Sequence, residues 1–173
     1  MVKIVLVSGK ARSGKDYLAN KLEWYIEFVQ HKRCLVLHYA DALKDFCSKH
    51  YGYADKKDSR EREMLQTIGT DIGRTNYEDT WVDIVIALIR GLGCTYDFVL
   101  IPDARFPNEI QKIIDTFGKE NTYSLRTFRD FTTDLTTEQQ NHTSETALDD
   151  WCFDEFVNTD HIELDEIYKN IVK

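Results

Sequence analysis

The sequence predicts an α/β domain: a parallel five-stranded sheet with helices on both faces and a small lid. Three observations predict it. Short β-branched apolar runs alternate with longer segments of helical period, the pattern of a parallel sheet with crossover helices. The first run, Ile4 to Val7, closes on a glycine loop that opens straight into an amphipathic segment. The chain holds two prolines in 173 residues and no low-complexity stretch or internal repeat, so no linker divides it. A single domain over 1–173 follows, with an insertion over about 41–92 and the lid over about 129–143.

The elements run in order. Val2 to Val7 is a buried strand, and Tyr17 to Gln30 a helix with Leu18, Leu22, Tyr25, Ile26 and Val29 on one face. Cys34 to Tyr39 is the second strand. Asp41 is placed to cap a helix carrying Leu43, Phe46 and Cys47 and ended by Gly52. Asp55 to Glu63 is expected to be exposed. Arg62 to Arg74 is helical, with Leu65, Ile68 and Ile72 towards the core and Gln66, Thr70 and Arg74 on another face. Gly69 and Gly73 weaken that helix, so something is expected to approach it closely. Thr80 to Leu92 is apolar nearly all round and reads as a buried helix. Phe98 to Ile101 is the third strand, ending in Pro102-Asp103; Pro107 to Phe117 is a helix with proline in its first turn. Thr122 to Phe128 is the fourth strand, followed by a polar, threonine-rich segment. Phe153 to Asn158 supplies the fifth strand and Leu164 to Val172 the last helix.

Bulk composition narrows the function. A net charge of −8 argues against gripping long nucleic acid, which needs a basic face. A local positive pocket in an acidic surface suits a small phosphorylated ligand. Four scattered cysteines without a C-x-x-C read as reduced thiols in a cytoplasmic protein. No stretch reads as a membrane span.

The chemistry starts at Gly9-Lys10-Ala11-Arg12-Ser13-Gly14-Lys15-Asp16. The spacing is that of a phosphate-binding Walker A loop, with Asp16 where Ser or Thr is usual. Glycines let backbone N–H groups curl around phosphate, and the following helix adds the positive end of its dipole. Lys15 brings a mobile cation; Lys10 and Arg12 add charge. Asp16 can hold Mg²⁺ directly or through water, and Asp103, an acid at a strand end, is the second candidate metal ligand. Arg105 lies two residues on. Arg126 and Arg129 stand where the fourth strand gives way to the lid, placed to close on a transferring phosphoryl group from the acceptor side. Gln66, Thr70 and Arg74 are candidates to line an acceptor pocket. His142 and Glu145 lack partners at metal-ligand spacing.

Over almost the whole chain, in order, the sequence resembles the phage-type deoxynucleoside monophosphate kinases. The matching stretches are Ser8 to Asp16, Tyr39 to Lys44, Leu65 to Arg74 running to Trp81, Asp103 to Glu109, His142 to Glu145, and Val157-Asn158. The resemblance implies a P-loop kinase that moves the γ-phosphoryl group of ATP, with Mg²⁺, onto a deoxynucleoside monophosphate and so supplies DNA precursors, in the host cytosol if the source is viral. It implies that Gly9 to Asp16 cradle ATP, and that Asp41, Lys44, Gln66, Thr70, Arg74 and Trp81 form the monophosphate side. Asp103 and Arg105 would meet at the reaction centre, Arg126 and Arg129 would be lid arginines, and Asn158 would lie near the adenine. Partners are then small molecules, with neither nucleic acid nor membrane, and a homodimer is left open. Two alternatives stand beside it: a phosphomevalonate kinase, whose loop the Ser8 to Asp16 stretch also resembles, and a nucleotide-binding module without catalysis.

Overall fold

The computed structural model describes residues 2–56, 58–130 and 142–173. Most of the expected lid, 131–141, lies outside the described residues. The strands are β1 (Lys3–Gly9), β2 (Cys34–Val36), β3 (Phe98–Ala104), β4 (Thr122–Phe128) and β5 (Glu155–Asn158). They form one five-stranded sheet in the order β2-β3-β1-β4-β5, every pairing parallel. The central β1 alternates its side chains between the faces. Ile4 and Leu6 enter a cluster with Val82, Val85, Ile86 and Ile89 of α4 (Thr80–Leu92) and Ile110 and Ile113 of α5 (Pro107–Phe117). Val5 and Val7 enter another with Leu18 and Leu22 of α1 (Lys15–Trp24) and Ile167 and Ile171 of the C-terminal helix (Leu164–Val172). Buried on both faces, such strands read as continuous apolar runs.

Between β2 and α4 lie α2 (Ala40–Tyr51) and α3 (Ser59–Gln66). α3 continues as π-helical backbone over Thr67–Arg74, as α1 does over Tyr25–Val29. The expected Arg62–Arg74 helix is therefore two geometries in series. Ile72, expected inside, is 54% exposed, because the wider π turn rotates it away from the core. Gly69 and Gly73 do admit close neighbours: a Cβ on Gly69 would strike the Leu43 side chain, and one on Gly73 would press on the Ile68 carbonyl oxygen and the Trp81 ring.

Three further expectations change. Asp41 does not cap α2; it sits in the first turn and its carboxylate accepts from the His38 N–H at 3.2 Å. The 55–63 stretch is not uniformly exposed. Glu61 is buried, and its carboxylate accepts from the Ala54 and Lys56 N–H groups at 2.7 and 2.5 Å, while Asp58 caps α3 through the Glu61 N–H. α4 is not buried all round either: Ile84, Leu88 and Leu92 stand on an exposed face.

β3 runs three residues beyond the expected Ile101, through Pro102. Proline brings no N–H to the ladder, and the register shifts there: Leu6 pairs with Ile101, but Ser8 pairs with Ala104. One residue of β1 spans two of β3, a bulge that contains Asp103.

Candidate functional site

The glycine loop hangs from the carboxyl end of β1, where a parallel sheet presents its ligand crevice. Gly9 has φ 154°, and a Cβ there would overlap Thr127 Oγ1 and Ser13 Oγ. Gly14 has φ 87°, and a Cβ would come within 2.6 Å of Thr159 Oγ1. Both positions need glycine for room and conformation. The loop is braced from below: Ser13 and Thr127 hydroxyls share a 2.7 Å hydrogen bond, and the Thr159 hydroxyl donates to Ser13 O at 2.8 Å. Lys15, largely buried, donates to Gly9 O at 2.6 Å and Lys10 O at 2.9 Å. Burial, then repulsion from Arg105, lowers its pKa to about 8.

Two recesses meet at this loop. The smaller is lined by Arg12, Gly14, Lys15, Asp16, Tyr17 and Arg129. The larger, about 490 Å³, runs from Ala11 and Asp16 across Lys44 of α2, Gln66, Thr70 and Arg74, to Trp81 of α4 and Asp103 and Arg105 at the end of β3. Asp16 lines both.

The wall of the larger cavity is held by acids. The Glu109 carboxylate, almost fully buried, pairs with Arg74 and accepts from the Arg105 and Phe106 N–H groups. Burial raises its pKa even against the neighbouring Arg74 charge. The Arg74 guanidinium lies 4.0 Å above the Phe106 ring. Trp81 Nε1 donates to Gly69 O at 3.0 Å, fixing the indole. Arg105 pairs with Glu145, which also accepts from the Ala11 N–H at 2.6 Å.

Eight of the expected site residues thus face one cavity: Asp16, Lys44, Gln66, Thr70, Arg74, Trp81, Asp103 and Arg105. Asp41 does not line it; it is exposed and turned to His38. Arg129 lines the smaller recess beside Lys15 rather than the larger one, and donates to Thr159 Oγ1 at 3.0 Å. Arg126 is anchored, donating to Asp149 at 2.6 Å and Ser8 Oγ at 3.1 Å. Lys10 also pairs with Asp149, at 2.9 Å. Asn158, at the end of β5, donates to Asp130 at 3.1 Å and lines neither recess.

For Mg²⁺ the two candidate acids differ. Asp16 presents a carboxylate where the recesses meet, a hard oxygen ligand well suited to this ion. Each oxygen of Asp103 already accepts a backbone N–H, from Tyr39 and Ala40 at 3.0 Å, so Asp103 holds the start of α2. Burial raises its pKa despite those bonds. Among the described residues no three His, Cys, Asp or Glu side chains converge on a metal position.

Sequence reasoning gave no role at the site to Glu109, Glu145, Asp149, Thr127 or Thr159, although Glu109 and Glu145 close two of the matching stretches. Glu109 had a local signal, an acid three residues after a helix start. Glu145 and Asp149 had none strong enough, since their partners lie up to 139 residues away.

No family model matches the chain. A phosphomevalonate kinase of Drosophila melanogaster is 26% identical over 145 residues, covering 73% of this chain and 67% of that protein. Among solved structures, an APS kinase of Mycobacterium tuberculosis aligns over 99% of this chain and 94% of its own, with TM-score 0.47 and 15% identity. A gluconokinase of Sinorhizobium meliloti aligns over 98% of this chain and 89% of its own, with TM-score 0.46 and 13% identity.

Proposed function

We propose that this chain is a P-loop kinase that transfers the γ-phosphoryl group of ATP to a small anionic acceptor. The observation that carries the reading is the junction at Asp16. A phosphate-type loop with its lysine stands on one side, and a cavity of about 490 Å³ that holds Lys44, Arg62, Arg74 and Arg105 among its lining opens on the other. ATP lies with its phosphates along the loop and the start of α1, attended by Lys15, Arg12 and Arg129. Asp16 would hold Mg²⁺, which would supply charge neutralisation at the transferring group. An acceptor oxygen bonds to the γ-phosphorus as the bond to the bridging oxygen breaks, and ADP leaves. Arg105, in the lining of the larger recess, stabilises the charge spread over the group in flight.

An anionic acceptor is supported by the cations that the cavity leaves unengaged, since the carboxylates of Asp58, Glu61, Asp103, Glu109 and Glu145 in its lining already accept hydrogen bonds. Lys44 and Arg62 line it, and neither makes an ion pair among the described residues. Arg74 and Arg105 line it too, each already paired with a carboxylate, Glu109 and Glu145. The likeness to a phosphomevalonate kinase supports a phosphorylated carboxylic acid as that acceptor. Geometry leans the same way: Phe106 is covered by Arg74, and Trp81 is pinned against Gly69, so charge outweighs base stacking as the source of affinity. The second reading is a deoxynucleoside monophosphate, supported by the motif resemblance and by Trp81 beside Gln66 and Thr70.

The test is ADP formation from ATP and Mg²⁺ over phosphomevalonate and all deoxynucleoside and ribonucleoside monophosphates. Phosphomevalonate-dependent turnover is expected. Turnover with nucleotides alone moves the chain to the second reading. Slow hydrolysis indifferent to every acceptor makes it a binding module.

A further inference from the structure

Resting on the kinase reading, we infer that Glu145 is a positioning residue that ties the crest of the donor loop to Arg105, so that the loop and the arginine are set as one piece.

Its two carboxylate oxygens are divided between the two sides of the site. Oε2 accepts from the Ala11 N–H at 2.6 Å, and Oε1 pairs with the Arg105 guanidinium. The side chain is only 9% exposed, whereas Arg105 is 34% exposed. An arginine that open has many rotamers in reach, and holding one costs entropy at every turnover. Glu145 meets that cost in advance with a charge-assisted bond, and the neighbouring Ser144 O accepts from the same Nη1 at 3.3 Å.

The carboxylate is itself well founded. It sits on α6 (Thr143–Thr146), whose first turn is closed by the His142 ring accepting from the Ser144 N–H. Two residues beyond that helix, Leu148 is 1% exposed within the core cluster under α4 and α5. The next residue, Asp149, grips Lys10 of the loop and Arg126 of β4. One short stretch therefore holds the loop twice, holds two arginines, and is anchored in the core. Reacting groups displaced by about 1 Å can lose about 10²-fold in rate, which sets the scale of what such a tie is worth.

Two measurements test it. The first needs no substrate: amide exchange at Ala11 by NMR in wild type, Glu145→Ala and Glu145→Gln. Exchange about tenfold faster in Glu145→Ala is expected, with Leu6 and Leu100 unchanged and Glu145→Gln in between. Unchanged exchange at Ala11 in Glu145→Ala overturns the tie. The second is a double-mutant cycle with Arg105→Ala on the acceptor that wild type phosphorylates. Glu145→Ala should lower kcat about 10²-fold while moving the KM for ATP less than about threefold. In the Arg105→Ala background the same change should cost less than about threefold, because the residue it acts through is gone. Losses that multiply in the double variant show that Glu145 does not act through Arg105. If wild type turns over no acceptor, the kinase reading fails, and Ala11 exchange still decides the tie. Thermal melts identify a variant that fails to fold, for which Glu145→Gln carries both readouts.

Discussion

The donor loop and the acceptor wall face each other across Asp16 and are built in opposite ways. The loop is backbone: Gly9 and Gly14 in conformations that side chains resist, with hydroxyls of Ser13, Thr127 and Thr159 bracing it from beneath. The wall is side chains from α2, the α3–π segment, α4 and β3, held by buried acids: Glu109 on Arg74, Asp103 on the start of α2. A backbone cradle is one contiguous motif and recognises what all nucleoside triphosphates share. A wall of side chains is assembled from distant positions and can change its ligand one residue at a time. The difference teaches where identity would lie under the proposed kinase reading: the loop binds phosphate, and the wall selects the acceptor.

That contrast can be broken by experiment. Lys15→Ala should abolish nearly all phosphoryl transfer, with a loss on the order of 10³-fold, in a chain that still folds. Retention of most kcat would mean that the loop does not serve catalysis. On the wall, Glu109→Ala strands the largely buried Arg74 and two backbone N–H groups. Breaking such a pair costs about 3–5 kcal/mol, read by urea denaturation. A change below about 1 kcal/mol would mean that the wall does not depend on its buried acids.

Arg129→Ala should raise the KM for ATP about tenfold and move kcat less, because Arg129 lies in the donor recess with Lys15. A kcat collapse at unchanged KM would return it to the acceptor side. The smallest effect is in pH. With the Lys15 pKa lowered to about 8, the free enzyme loses its loop cation above that pH, and kcat/KM for ATP should fall while kcat stays level. Linkage gives the sign for stability. A lysine depressed from 10.5 penalises the folded state while both states hold the proton, so stability should rise between about pH 8 and 10.5. Lys15→Met should remove that rise in a denaturation series.

Much of this was legible in the sequence, and unevenly so. The central strands β1 and β3 follow from apolar runs buried on both faces, while β4 and the edge strand β5 carry polar residues and were legible from their place in the alternation of strands and helices. Helix faces were harder. Ile84, Leu88 and Leu92 are as apolar as their buried neighbours, and only the finished packing says which side of α4 meets the sheet. The π geometry of Thr67–Arg74 leaves no period that a 3.6-residue template detects, which is why Ile72 was expected inside. At the site, cations were legible but their partners were not. Arg105 meets Glu145 40 residues away and Arg74 meets Glu109 35 away, distances over which sequence carries no register.

The strand order has a consequence in time. β1 lies at the centre of the sheet, yet its neighbours are β3 and β4, with Lys3 opposite Phe98 and Ile4 opposite Thr122. A ribosome adding roughly 5–20 residues per second makes Ile4 to Val7 several seconds before either partner strand exists. During that interval the central strand of the domain has no ladder to join, and the phosphate loop at its end has no fixed base. Closure of the sheet waits on contacts far apart in the chain, the kind that fold slowly. Nascent chains stalled before β3 should therefore bind chaperones that capture apolar segments, and chains released after β5 should not.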